Sequence, residues 1–499
     1  MAYLRKGFYD EILHQRVLVL VAFDVDALCA CKILQYLFQC DQILYTIVPV
    51  TGKEELEKAY VENSEGVKHV IFINCGASVD VVETLQPEES VRFYICDSHR
   101  PVDVHNVFNA VQVKLLMKEE EFDELPEYDS LFRDDDSDDD SGNDSDTSER
   151  SGKRKRFDDE AIEKRRDKRI WDENRQKILF EYNQFSTYGT SASLIMFELA
   201  WKMSKDTNDL VWLAVVGVTD QYIHFKTPRD KYIDDAMALE SHVARHNHRG
   251  DDEDNIISIN CLKIVFDEEL QLTLYRHWSL FDSICHSVNL ASEMGMPLSQ
   301  CKQKFSSMES TLRHNIKQMI QDHMTKYGLT NQDVVIPSFS AQYGYKNKLC
   351  AADYVLACVA TLENISKCSF LEKAVELAKK QTQAIVTQVQ TFLDMHQVIS
   401  AGPFLYAFIQ EGTMDVKFFA KPQCLMRLAR FTLEAHCSVS RNKRAELDEE
   451  RKNFFGKAFE QAAVSTNSRT LHDSLDSYIM EMKTEDRSKF FDALISLLN

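Results

Sequence analysis

The sequence lacks any run long enough to cross a bilayer: its longest apolar stretch, Val17 to Phe23, falls far short of the ~20 residues a spanning helix needs. The amino terminus, MAYLRKGFYDEIL, has no apolar core of the secretory kind, so a soluble intracellular protein with no membrane partner is expected. Cysteine pairs are also missing. Thirteen cysteines are scattered along the chain, with a CxC at Cys29 and Cys31 and no CxxC. That distribution signals neither a disulfide framework nor a zinc knuckle and fits a reducing compartment. Positive charge is scarce, with 58 Lys and Arg against 79 Asp and Glu, a net charge of -21. Such a field opposes non-specific adhesion to nucleic acid, so any DNA contact needs a local basic patch, and protein partners are favoured.

At 499 residues the chain has room for two or three domains, each with its own core. The first hundred residues alternate short apolar runs with amphipathic stretches, which argues for an α/β fold with a mainly parallel sheet. Strands are expected at Arg16 to Asp24, Val67 to Gly76 and Val91 to Asp97, each apolar at consecutive positions as strands covered on both faces must be. A helix is expected over Leu28 to Phe38. From Asp129 to Glu149 ten of twenty-one residues are acidic and almost nothing can be buried, so disorder is expected. Lys153 to Arg169 then carries nine basic residues among seventeen. It reads as a solvated charged helix, a nuclear import signal or, less favourably beside the acidic run, a DNA-contacting arm.

Folded patterning returns at Trp171, and DLVWLAVVGVTDQYI reads as an apolar core helix or strand ending in Gly217 and Asp220. Beyond Asn255 the chain is expected to be mostly helical. Cys301, Phe305, Met308, Leu312, Ile316, Ile320 and Met324 recur three or four apart, as do Leu371, Ala374, Leu377, Ala378, Ile385, Val389 and Phe392. The last hundred residues return to mixed α/β character and end on an amphipathic helix, RSKFFDALISLLN.

In open α/β sheets ligands collect beyond the carboxyl ends of the strands. The side chains presented there are Asp24 and Asp26, Asn74, then Asp97, Ser98 and His99, with Asp220 later. Converging acids and imidazoles would suit a manganese or magnesium pair that activates water against a phosphate. Asp24 and Asp26 read equally well as helix N-caps or turn residues.

At these residues the sequence resembles the DHH phosphoesterases, the superfamily of RecJ nucleases. FDVDAL is similar to their first, DxD motif; DSHRP to DHHxP; FINCG to the strand end that usually carries Asp-Asn-Gly; VVGVTD to a later Gly-x-x-Asp element. Two ligands depart from that pattern. Asn74 stands where the family has a metal-bridging aspartate, and Ser98 where it has a metal-binding histidine. An amide brings no negative charge and a hydroxyl is a poor replacement for imidazole, so the metal-pair site is expected to be broken and no cofactor is expected. Asp24, Asp26 and Asp220 remain for a loosely held single ion at most. Without a cation the gathered carboxylates repel one another, so His99, Arg100 or a lysine is expected to neutralise them.

DSHRP, YRHWSLFDS (Tyr275 to Ser283), the acidic run, GPFLYAFIQEGTMD (Gly402 to Asp415) and RKNFFGKAFEQAA together resemble one eukaryotic branch, the cell division control protein forty-five family. This resemblance covers nearly the whole chain. It implies a RecJ-like DHH domain in two parts, residues 1–115 and 172–254, interrupted by a disordered or helical acidic and basic insertion at 116–171. A helical inserted domain at 255–395 and a smaller DHHA1-like α/β domain at 396–499 would follow. It further implies a nuclear pseudo-enzyme, a non-catalytic scaffold of the replicative helicase in initiation and elongation. The helical insertion would dock on the MCM ring and the core on the GINS complex, with single-stranded DNA and replication initiation factors as further partners. A manganese-dependent exonuclease of the RecJ kind is the competing reading, and a free-standing binder of small phosphoesters a third. Two connections, around Asn289 to Met296 and between Arg441 and Lys452, are shorter than the family's, and the glycine-rich substrate motif of active relatives is absent, in keeping with lost catalysis.

Two further signals carry less. His242, His246 and His248 lie close together, but Arg245 and Arg249 repel a cation and no flanking acid is evident, so a solvated basic helix end is expected. Ser137, Ser141 and Ser145 in the acidic run are expected kinase targets.

Overall fold

The computed structural model describes residues 4–122, 125–132, 159–248, 262–278, 282–283, 335–343, 348–364, 371–401, 404–410, 412–440, 453–471 and 474–498. Five strands, β1 (Arg16–Ala22), β2 (Leu44–Val50), β3 (His69–Ile73), β4 (Arg92–Cys96) and β5 (Val113–Leu115), form one parallel sheet in the order β2-β1-β3-β4-β5. The central strands are buried at nearly every position, which is why their sequences run apolar without alternation. Helix α1 (Val25–Cys40) links β1 to β2, and α2 (Lys53–Asn63) returns from β2 across β1 to β3. Because such crossovers are right-handed, the two helices cover opposite faces and the crevice between β1 and β3 opens at the carboxyl edge.

The three expected strands are present with slightly tighter ends. The sequence reading missed β2 and β5. Both are edges: β2 is half-exposed along most of its length and carries Pro49, tolerable only at an edge, and β5 is three residues long.

A charged helix, α3 (Asp159–Asn183), precedes the second part of the core. There α4 (Ala192–Lys202) and α5 (Asn208–Ile223) pack behind α1, and α6 (Arg229–His248) behind α5. The stretch left open between helix and strand is thus helix α5. Eleven of its sixteen residues are buried, including polar Thr219, Asp220 and Gln221. Gly217 is the reason α5 can lie so close to its neighbours. A Cβ there would come 2.0 Å from Ser193 Oγ and 2.4 Å from Asp26 Oδ1.

The region beyond Asn255 is not simply helical. Leu262–Leu270 and Val335–Tyr343 pair antiparallel over nine residues, with Leu349–Cys350 added at the edge. The first of these, LKIVFDEEL, starts with the buried-exposed alternation of a one-sided strand, which a search for helical periodicity overlooks. Helices α7 (Ala351–Asn364) and α8 (Leu371–Asp394) follow; of the expected stripe α8 buries Ala374, Ala378, Ile385, Val389 and Phe392, while Leu377 is partly buried and Leu371 exposed. The stripe from Cys301 to Met324 lies outside the described residues, as do both shortened connections and Ser137, Ser141 and Ser145. The described end of the chain comprises α9 (Pro422–Ser440), α10 (Phe455–Thr466), the expected terminal helix α11 (Arg487–Leu498) and two short antiparallel ribbons. Backbone bridges from Gly52 to Ser474 and from Ser186 to Asn453 join this end to the first half. Among the described residues no helix is long and apolar enough to cross a membrane.

Candidate functional site

The carboxyl edge of the sheet gathers every sequence-predicted site residue into one polar knot. Asp24 ends β1 in extended backbone and N-caps α1, its Oδ1 accepting from Ala27 N at 2.8 Å. Asp26 lies in the first turn of α1 and turns inward, 2 % exposed. There it meets the start of α4: Oδ1 accepts from Ser191 Oγ at 2.5 Å and Ser193 N at 3.0 Å, and Oδ2 from Ala192 N at 2.9 Å. A carboxylate at a helix N-terminus suits both the free N–H groups and the dipole.

Asn74 follows β3 with φ at 50°, a left-handed conformation that asparagine tolerates better than most residues. Its amide nitrogen donates to Asp26 Oδ2 at 3.0 Å and to Asp24 Oδ1 at 3.3 Å, and its carbonyl accepts from Ser98 N at 3.1 Å. Asn74 therefore braces the two acids and the β4 exit by donating where an aspartate could only accept. Four donors in all converge on Asp26.

Beyond β4, Asp97 is buried. Its Oδ2 accepts from Ala77 N, and its Oδ1 from His99 N at 2.9 Å and from His99 Nδ1 at 2.6 Å. His99 Nε2 reaches Asp476 Oδ1 at 3.2 Å, and the same oxygen accepts from Tyr188 Oη at 2.5 Å and Tyr478 Oη at 3.3 Å. Burial works against an imidazolium, but the charge of Asp97 and the hydrogen bonds to Asp476 and Asp97 outweigh it and push His99 up to about 10. Burial likewise opposes ionisation of Asp476 and Asp97. For Asp476 the charges of Lys226 and His99 win, and for Asp97 that of His99, and both stay below the usual carboxylate range.

Asp220, on α5, pairs with His224 at 3.0 Å. Asp24, half-buried, is pushed up to about 6 by burial, with Lys226 opposing and Asp26 and Asp220 adding to the rise. Between the sheet edge and the C-terminal segment lies a cleft of about 340 Å³, whose charged and titratable lining is Asp24, His99, Asp220, Lys226, Lys421 and Asp476. Much of the remaining lining is apolar, with Phe23, Val359 and Leu362 among it.

Of the three neutralisers expected, His99 and a lysine, Lys226, act on the acids. Arg100 does not. Its guanidinium donates to the carbonyls of Asp97 and His99 and pairs with Glu121, which also accepts from Thr190. Lys226, Asp476, Tyr188 and Tyr478 were not anticipated. Lys226 stands six residues past Asp220 in no recognisable motif, and Asp476 reaches the site from 377 residues beyond His99.

Asp24, Asp26 and Asp220 do not bring three ligand oxygens within 4.8 Å of one another. Among the described residues only Asp80, Asp103 and His105 do. That second cluster is structural, since Asp80 and Asp103 each N-cap a short helix, Val81–Leu85 and Val104–Phe108. The histidines of α6 also differ from expectation. A flanking acid exists, Asp206, which pairs with His246 at 2.7 Å and with Arg245, so this helix end is held by an ion pair rather than merely solvated.

The profile of the CDC45 family matches residues 17–129, 117–369 and 364–448. The chain is 44 % identical to the cell division control protein 45 homolog of Mus musculus and 43 % to that of Homo sapiens, in each case over 562 aligned positions covering 99 % of both chains. That alignment is longer than the 499 residues of the chain, so the relatives carry segments it lacks. The crystal structure of CDC45 from Entamoeba histolytica is 20 % identical with a TM-score of 0.68, covering 99 % of both chains, and shares the fold.

Proposed function

The chain belongs to the CDC45 family, and from that premise we propose that it is a non-catalytic scaffold of chromosomal DNA replication, acting in the nucleus and holding the GINS complex against the MCM ring. The RecJ-like core serves this role as a folded platform whose former metal pocket is filled by the protein's own groups.

The saturation of Asp26 carries this reading. A carboxylate that ligates a dication must offer it an oxygen, whereas both oxygens of Asp26 are occupied by four protein donors, one of them the amide of Asn74, which stands where the bridging aspartate would be. The donor set does not fit a dinuclear centre. Asn74 supplies no negative charge, Ser98 supplies no imidazole, and His99 is held as a cation between two carboxylates. Both ring nitrogens of His99 are engaged by Asp97 and Asp476, which leaves neither free for a metal. A scaffold of this kind uses large protein interfaces, about 2,000 Å² or more in total. Single-stranded DNA contact, through basic and aromatic side chains, is secondary to these interfaces.

Co-expression with the MCM and GINS subunits tests the proposal. One stable complex containing all three is expected, with no manganese-dependent cleavage of single-stranded DNA above background. A chain that stays alone and degrades single-stranded DNA in manganese, with Asp24→Ala abolishing the activity, would establish the exonuclease reading instead.

A further inference from the structure

Two lysines line the cleft, Lys226 and the less buried Lys421, and the position of the buried one, Lys226, is not explained by the contacts above. It lies just beyond α5 and is only 7 % exposed, yet its ammonium makes no direct ion pair or hydrogen bond among the described residues. What holds it is the face of Tyr188, 4.8 Å from the ring centroid, and the field of Asp476, Asp24 and Asp220. An ammonium largely withdrawn from water is costly unless surrounding charge requires it.

The carboxylates differ in how much they need it. Asp476 has His99 and two tyrosine hydroxyls, and Asp220 has His224. Asp24 has the neutral amide of Asn74 and a backbone N–H, and Lys226 is the foremost charge favouring its ionised form. The three acids come from β1, α5 and the C-terminal segment, so a charge between them draws together parts of the chain far apart in sequence.

We propose that Lys226 is the resident cation of this cleft, clasping the Asp476 segment to the sheet edge and occupying the place that a hydrated divalent ion would take. This rests on the reading that the pocket has given up its metal pair. An ammonium is a compact, strongly hydrated point charge. Magnesium, too, keeps much of its water. Both suit carboxylates too widely spaced to ligate a bare ion directly.

Thermal unfolding of the full chain tests the proposal, with and without manganese or magnesium chloride at matched ionic strength. Lys226→Met keeps the stem and removes the charge. Its midpoint is expected to fall by roughly 5 °C. Either divalent ion should recover about 3 °C of that loss while moving the parent by less than about 1 °C. Adding Asp24→Asn to Lys226→Met should recover about half the loss and remove the divalent response. If Lys226→Met folds only when metal is added, the proposal stands. It is overturned if Lys226→Met is as stable as the parent, if it gains no divalent response, if the double variant is less stable than the single one, or if neither variant folds in any condition. The scaffold reading is judged separately, by assembly and cleavage of the unmodified chain.

Discussion

The two sides of the cleft neutralise their acids by different physics. On the sheet side, Asp26 is satisfied by short hydrogen bonds from Asn74 and the start of α4, all contacts of one packed core. Across the cleft, Asp24 at the end of β1 and Asp476 of the C-terminal segment are neutralised by charge, from Lys226 and, for Asp476, also from His99. Hydrogen-bond saturation is rigid, local and blocks access. A charge clasp tolerates distance and can join remote segments, but it depends on protonation. The two modes meet within two residues, Asp24 and Asp26.

The sheet side should therefore yield the largest losses. Gly217→Ala drives a methyl into Ser193 Oγ and Asp26 Oδ1. It should cost about 3 kcal/mol in urea unfolding, as overpacking of a tight core does. Asp26→Ala leaves four donors without their acceptor and should cost about 2–3 kcal/mol. If either change proves neutral, the sheet side is not the closed core described.

On the charge side His99→Gln should cost about 2 kcal/mol near neutral pH, less than loss of a whole buried pair because the amide retains some hydrogen bonding. Its pH dependence has a definite sign. The imidazolium is favoured in the folded chain, with a value pushed up to about 10, against about 6.5 unfolded. Its stabilisation is complete below the unfolded value and disappears as pH rises through about 10. The stability gap between parent and His99→Gln should thus be widest around pH 6 and narrow steadily toward pH 10, as followed by urea midpoints across that range. A gap that widened with pH would remove the charge clasp from the account.

The smallest effect belongs to the cluster that most resembles a metal site by distance alone. Asp103→Asn keeps the N-cap oxygen that accepts from His105 N. It should change stability by less than about 0.5 kcal/mol with no shift in response to divalent ions. A lost metal response there would mean the cap is also a ligand.

Much of this was legible beforehand because parallel-sheet chemistry is local in sequence: an apolar run followed by Asp, Asn or His marks a strand and its carboxyl end. That pattern marks β1, β3 and β4 and the residues at their ends, and an apolar stripe marks α8. What escaped was long-range or edge-like. β2 is half-exposed along most of its length and contains Pro49, so it does not resemble its neighbours. The ribbon of Leu262–Leu270 with Val335–Tyr343 pairs segments separated by 64 residues. Lys226 and Asp476 acquire meaning only from each other and from Asp24, and no local spacing encodes that. Arg100, adjacent to His99, is the obvious counter-ion from sequence, yet its long side chain folds back on the carbonyls of Asp97 and His99 and pairs with Glu121.

The central claim is that this pocket no longer takes a pair of metal ions because the protein's own donors and cations fill it. Manganese titration of the unmodified chain, followed by electron paramagnetic resonance, tests it most directly. The account predicts no exchange-coupled manganese pair at any ratio of ion to chain. Uptake of two ions per chain with a coupled signal, abolished by Asp26→Ala, would contradict it.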